Sequence, residues 1–235
     1  MMSFERAEKR YFPHLLIIIF FMCTWFIKEL QLLINTDTLG LYLLETNKSA
    51  FNYFDNLTFA FMYLPLYLLF EYMLWHENSQ IVVRFGSRVR YLRAQTIGLI
   101  RSTLLFWLVF AFFGALPLVS LPGSDGGTFI YLYVVQTLAY FLISLEFGIV
   151  LFWFFQLLPK LHLVPFLLLA VLPIIYYSFP IRPMNLFQKI DLLKRYYYMQ
   201  DLTALPVPTL IILVAVPIMT LCMRVLWIQH EEFWQ

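Results

Sequence analysis

From Ser102 to Pro122 the chain carries no charged residue. About 20 mostly apolar residues in helical form cross the hydrocarbon core of a bilayer. Lipid offers no hydrogen bonds to an open backbone, so a crossing stretch of this kind is a helix. Five further segments qualify on the same grounds, at about 13–34, 55–75, 129–157, 162–180 and 205–228. The first has an apolar run of only 13–27 and reaches full length if Leu30 to Ile34 continue the helix past Lys28 and Glu29. The fourth is longer than a bilayer needs, so it tilts or projects. Composition agrees: 62% of residues are hydrophobic and 13% charged, against roughly 45–50% and about 25% in soluble domains. The mean hydropathy is +0.77. No polar interval is long enough to build a soluble core. The expected fold class is all-α, with residues 1–235 forming one polytopic membrane domain of six transmembrane helices.

Pro65, Pro165, Pro173 and Pro217 fall inside these segments. Proline in a spanning helix is tolerated where neighbouring helices or waters satisfy the freed carbonyls, so a packed bundle is expected. Cys23 and Cys222 lie in apolar runs and read as small packed hydrophobes, with no disulfide framework or zinc spacing. The N-terminus resembles a signal sequence, with Arg6, Lys9 and Arg10 before an apolar stretch. No small-x-small cleavage site follows, so it reads as an uncleaved first span.

Basic residues orient the bundle. With the N-terminus inside, the inner segments hold Arg6, Lys9, Arg10, Arg84, Arg88, Arg90, Arg93, Arg101, Lys160 and Arg224. The outer segments hold Lys28, Lys48, Arg182, Lys189, Lys194 and Arg195. Ten against six places both termini inside. In residues 1–12, Phe4, Tyr11 and Phe12 interleave with charged residues, the pattern of an interfacial helix feeding the first span. The last outer loop, 181–204, has a similar character. Asn185 and Gln188 can cap a helix. Leu186, Ile190, Leu193 and Tyr197 then share one face, opposite Gln188, Asp191 and Arg195. An interfacial or re-entrant helix fits this pattern, as does an ordinary loop helix. Gly123-Ser124-Asp125-Gly126-Gly127 reads as a tight turn.

The chain lacks a Gly-rich phosphate loop ending in Lys-Ser/Thr, a nucleophile elbow and a His-x-x-x-His pair. No catalytic or metal site is expected. Two carboxylates do fall inside spans. Glu146 lies near the middle of the fourth and Glu71 toward the inner end of the second. A carboxylate at mid-membrane costs roughly 2.5–3.5 kcal/mol on insertion scales, so it faces a cavity or a partner. Cavity lining and packing between helices both remain open for Glu146. For Glu71, reaching toward the inner headgroups is the alternative to a role inside the bundle.

The segment from His76 to Arg93 is unlike the rest, with Arg84, Arg88, Arg90 and Arg93 inside ten residues. Ser79 can cap a short helix in which Val82 and Phe85 share an apolar side, and Gly86 can end it in a left-handed conformation. Ser87 can cap the next helix, running through Arg88, Tyr91 and Gln95 into the third span. Positive-inside anchoring to anionic lipid accounts for the charge. The bend points further, to a helix shaped for a groove in a soluble partner.

Val83-Arg84-Phe85-Gly86-Ser87-Arg88, placed after the second span and followed by a basic helix, resembles the cytoplasmic segment of small ABC-2-type exporter permeases. Many of these serve bacterial peptide or bacteriocin export and immunity. The likeness extends to the whole layout: an amphipathic N-terminal segment, six spans, a helix between spans two and three, and helices dipping into the membrane between spans five and six. It implies a transport subunit of the bacterial cytoplasmic membrane that is not itself an enzyme and has no cofactor of its own. ATP and Mg would be bound by a separate ABC ATPase subunit. Val82, Val83, Arg84, Phe85, Gly86, Ser87 and Arg88 would form the coupling helix that docks on it. A second permease copy or paralogue would complete the path, with membrane lipid around it and no role for nucleic acid. Amphipathic peptide or lipid-like molecules are the expected cargo. Two rivals stand beside this reading: an immunity or sensor protein that binds a peptide without pumping it, and an intramembrane enzyme built on Glu146.

Overall fold

The structure, a computed structural model, describes residues 12–27, 53, 55–74, 88–115, 126–158, 161, 163–178, 190, 192 and 207–233. Among these residues the regular elements are all helical. We number them α1 (Phe12–Ile27), α2 (Asn56–Leu74), α3 (Arg88–Ala115), α4 (Gly126–Leu157), α5 (Leu163–Ser178) and α6 (Val207–Phe233). Four of them are long and apolar enough to cross a membrane: α2, α3 from Val89, α4 from Ile130, and α6 as far as Ile228. The apolar parts of α1 and α5, Phe12–Ile27 and Leu163–Tyr176, are shorter. The first expected span, 13–34, is therefore described only as far as Ile27.

Two boundaries move. α3 starts at Arg88, well before the expected span at 102–122, because the basic helix and the apolar stretch are one continuous rod. The expected helix start directly after Ser87 is where α3 begins. Gly126 and Gly127, read as part of a turn, instead open α4. First-turn N–H groups lack intrahelical partners in any case, so glycine disturbs less there than mid-helix. The expected coupling residues Val82 to Ser87 and the N-terminal segment 1–11 lie outside the described residues.

Side-chain pairings give the helix directions. His14 meets Phe70 edge-on at 5.5 Å, and Phe21 meets Tyr63 at 5.5 Å, so α1 and α2 are antiparallel. Glu71 pairs with Ser102, and Tyr53 reaches the Phe110 carbonyl, so α2 and α3 are antiparallel. Gln156 pairs with Gln95 while Tyr133 bonds the Ala111 carbonyl, so α3 and α4 are antiparallel too. α4 and α6 run the same way, since Glu146 meets Thr220 and Gln156 meets Arg224. The chain between them must therefore return. Phe166, near the start of α5, packs on Tyr72, which also meets Phe155 at the far end of α4. The Leu192 N–H then bonds Gln136 Oε1 at 3.0 Å, 19 residues or about 28 Å back along α4 from Phe155. The 16 residues of α5 supply about 24 Å of that distance.

The centre is aromatic. Phe21, Tyr53, Tyr63, Phe106, Trp107, Phe110 and Tyr140 are buried together. Phe59 stacks on Tyr140 at 4.2 Å and 7°, and Tyr53 on Phe110 at 4.9 Å and 6°. Lipid tails are as apolar as leucine, so helix association in a membrane rests on close packing and interhelical hydrogen bonds. Face-to-face and edge-on rings provide the first. The second comes from tyrosine hydroxyls: Tyr67 on α2 shares a 2.7 Å bond with Thr103 on α3, and Tyr133 on α4 donates to the Ala111 carbonyl of α3 at 2.8 Å.

Within α2 the residues Phe59–Tyr63 form a π-helical turn, closed by the Leu64 N–H on the Phe59 carbonyl. Pro65 lacks the N–H that the Phe61 carbonyl would take in an α-helix. Local π adjustment is one way a membrane helix accommodates such a loss. Pro173 and Pro217 sit inside α5 and α6, both buried against neighbours.

The outer surface is equally apolar. Phe112 and Leu168 are each 65% exposed, which suits hydrocarbon and not water. Cys23 and Cys222 lie on this surface, not in the packed interior expected for them. An apolar run does not separate lipid-facing from core-facing positions, because both environments are apolar.

A buried polar chain closes the end opposite the arginines. Gln136 Nε2 donates to Tyr140 Oη at 2.7 Å, and the Tyr140 hydroxyl donates to Asn56 Oδ1. Tyr140→Phe removes both bonds and is expected to cost about 1–2 kcal/mol. Thermal unfolding in mild detergent checks this, and an unchanged midpoint argues against the linkage.

Candidate functional site

The buried polar groups fall into two layers toward the arginine end. Glu71 on α2 is 1% exposed, and Ser102 on α3 donates to its Oε1 at 2.6 Å. One turn back along α2, Tyr67 and Thr103 share a hydrogen bond of 2.7 Å. Glu71 thus points into the helix contact and away from the bundle surface. At a similar level, Glu146 on α4 accepts a 2.8 Å bond from Thr220 on α6. Its Oε2 is buried and has no hydrogen-bond partner among the described residues. Glu146 is therefore a contact between helices, and the facing polar group is a hydroxyl.

The second layer is centred on Arg224, whose side chain is fully buried. Its Nε donates to Gln156 Oε1 on α4 at 3.2 Å, and its Nη2 to Gln95 Oε1 on α3 at 2.6 Å. Gln156 Nε2 also donates to Gln95 Oε1, at 3.3 Å. Two amide oxygens, not a carboxylate, hold the guanidinium. They orient both glutamines and tie three helices at one point. Thr220 and Arg224 are four residues apart, so they share a face of α6. One face of this helix therefore makes both polar contacts with α4.

Gln95 stands seven residues along α3 from Arg88, about 10 Å on a straight helix. Arg88 and Gln95 belong to one continuous helix, so the first residue of α3 and the Gln95–Gln156–Arg224 clamp lie on the same element.

Of the residues expected to matter, Arg88 is the first of α3, and Glu71 and Glu146 each join two helices. Ile190, expected on the outer interfacial face, is fully buried in the core. Leu192, off that face, is buried as well, and its N–H bonds the Ile190 carbonyl at 2.9 Å in addition to Gln136. Leu186, Leu193 and Tyr197 lie outside the described residues. Sequence alone gives Arg224 only as an inner charge and assigns Gln156 no role, so the clamp emerges from the structure. The available signal is a Thr-x-x-x-Arg pair, Thr220 and Arg224, in the otherwise apolar stretch 210–228 of α6. Among the described residues no three His, Cys, Asp or Glu side chains converge as metal ligands.

Comparison with known proteins adds no name to this geometry: no family model, curated protein or solved structure matches the chain.

Proposed function

We propose that the chain is the membrane subunit of an ABC-type exporter, driven by a separate ATPase that docks at the arginine segment. In this reading all six helices cross the bacterial cytoplasmic membrane, and both termini are cytoplasmic. The alternating helix directions and the return through α5 support six crossings. They also gather the start of α1, the start of α3 and the end of α6 at one end, together with Arg90 and Arg93. Positive charge at that end favours the cytoplasmic side.

The observation that carries the proposal is α3. A cationic head, a continuous helix and a buried three-helix clamp form a lever from the membrane surface into the bundle. ATP binding in the partner would move residues 82–88, and the clamp would pass that motion to α4 and α6. An amphipathic peptide or lipid-like molecule is the proposed cargo. The aromatic centre of one chain is filled, so the path would run between this chain and a second permease copy or paralogue.

The same filled centre favours one alternative, an immunity or sensor protein that binds a peptide without transport. Purifying the tagged chain from native membranes in mild detergent separates the two. The exporter reading expects a nucleotide-binding subunit to co-elute in fixed ratio. Full biological function in cells lacking every candidate ATPase partner supports the alternative.

A further inference from the structure

Between α1 and α3 lies a groove of about 440 Å³ that opens on the outside of the bundle. Its walls include Ile18, Leu104, Leu105, Leu108 and Phe112, and among the described residues Arg101 is the one ionisable group lining it. Arg101 belongs to an outward stripe of α3: Ile97, Ile100, Leu104, Leu108 and Phe112 are exposed with it. An exposed guanidinium beside a hydrocarbon groove asks for a ligand with an anionic head and an apolar tail. A second copy meeting this groove with the same face across a two-fold axis would bring a second Arg101 and, among the described lining residues, no carboxylate to answer it.

The dimensions favour one occupant. Arg101 to Phe112 is eleven residues, a rise of about 16 Å. Half of a hydrocarbon core of about 30 Å is about 15 Å, the depth of one leaflet. We infer that the groove is a specific site for one anionic phospholipid. Its phosphate sits on Arg101 and an acyl chain lies along Leu104, Leu108 and Phe112. The planar guanidinium can give paired N–H donors to phosphate oxygens. The apolar walls accept an unbranched chain without polar cost. Since α3 also bears Gln95 of the clamp, lipid bound there contacts the same rod that reaches the cationic end.

The test is native mass spectrometry of the full chain, released from mixed micelles holding equal amounts of phosphatidylglycerol and phosphatidylcholine. One phosphatidylglycerol per chain should be retained, preferred about fivefold, the factor for one basic residue near an anionic surface. Arg101→Gln should bring the preference close to one. Leu108→Trp should fill the groove and lower retention of both lipids, whereas Leu168→Trp, on the exposed face of α5, should not. Equal retention of the two lipids by the unaltered chain overturns the proposal whether or not the variants fold. So does an unchanged preference in folded Arg101→Gln. Efficient disulfide cross-linking between two chains through Leu104→Cys, undiminished by added phosphatidylglycerol, overturns it in favour of a second copy.

Discussion

Arg224→Met is expected to destabilise the bundle by about 1–3 kcal/mol, because it leaves the Gln156 amide oxygen buried without a donor and the Gln95 oxygen with only the 3.3 Å bond from Gln156. The cost comes from stranded acceptors, not from losing a favourable charge. Burying a guanidinium is itself expensive, and replacing a complete buried polar group with apolar residues is often neutral or stabilising. The triple replacement Gln95→Leu, Gln156→Leu, Arg224→Met should therefore recover most of the stability lost by Arg224→Met alone. On the proposed exporter reading it should not recover function, since the three helices would then be joined only by adaptable apolar contacts. Thermal unfolding in detergent and export assays on the same variants separate the two effects. A single Arg224→Met variant as stable as the unaltered chain removes the clamp as a structural element. A triple variant with full export removes it as a transmitting one.

Gly148→Leu is expected to prevent α2, α3 and α4 from closing. A Cβ at this position would stand 2.5 Å from Tyr67 Oη and 2.9 Å from Leu99 Cδ1. Tyr67 has little room to move: it is fully buried, bonded to Thr103, and edge-on to Phe106 at 5.4 Å. Even alanine should cost about 1–3 kcal/mol through overpacking, less roughly 1 kcal/mol from its better helix propensity. Leucine adds three more carbons to the same clash and should abolish recovery of folded protein. Gly98 provides the contrast. Nothing lies within 4 Å of a Cβ there, so Gly98→Ala should be neutral or gain about 0.5–1 kcal/mol. Size-exclusion profiles and unfolding midpoints of the three variants check the pair. Normal recovery of Gly148→Leu contradicts the close approach of the helices.

The helices themselves were legible because an uncharged run such as 102–122 admits little else, and because Ser87-Arg88 marks where the charged helix begins. The interior was not. Phe112 and Phe110 are equivalent by composition, yet one faces outward and the other stacks on Tyr53. A membrane protein lacks the polar stripe that marks the outside of a soluble helix, so hydrophobic periodicity cannot sort them. Uniformly apolar sequence likewise hid Cys23 and Cys222 on the surface. Single polar residues were visible, but their partners depend on how the helices rotate. Glu71 finds Ser102 and Glu146 finds Thr220 across gaps of 31 and 74 residues. The Arg224 clamp spans 129 residues between Gln95 and Arg224. Sequence spacing holds no trace of such pairings. It does mark the i, i+4 relation of Thr220 and Arg224.

Docking at the arginine segment is tested most directly by charge reversal. The variant Arg84→Glu with Arg88→Glu is expressed in the native host and its membrane fraction is solubilised in mild detergent. Co-purification of the proposed nucleotide-binding subunit is then compared with that of the unaltered chain. Loss of that subunit, with membrane insertion and unfolding midpoint unchanged, is the expected result. Retention at the unaltered level contradicts the proposed docking.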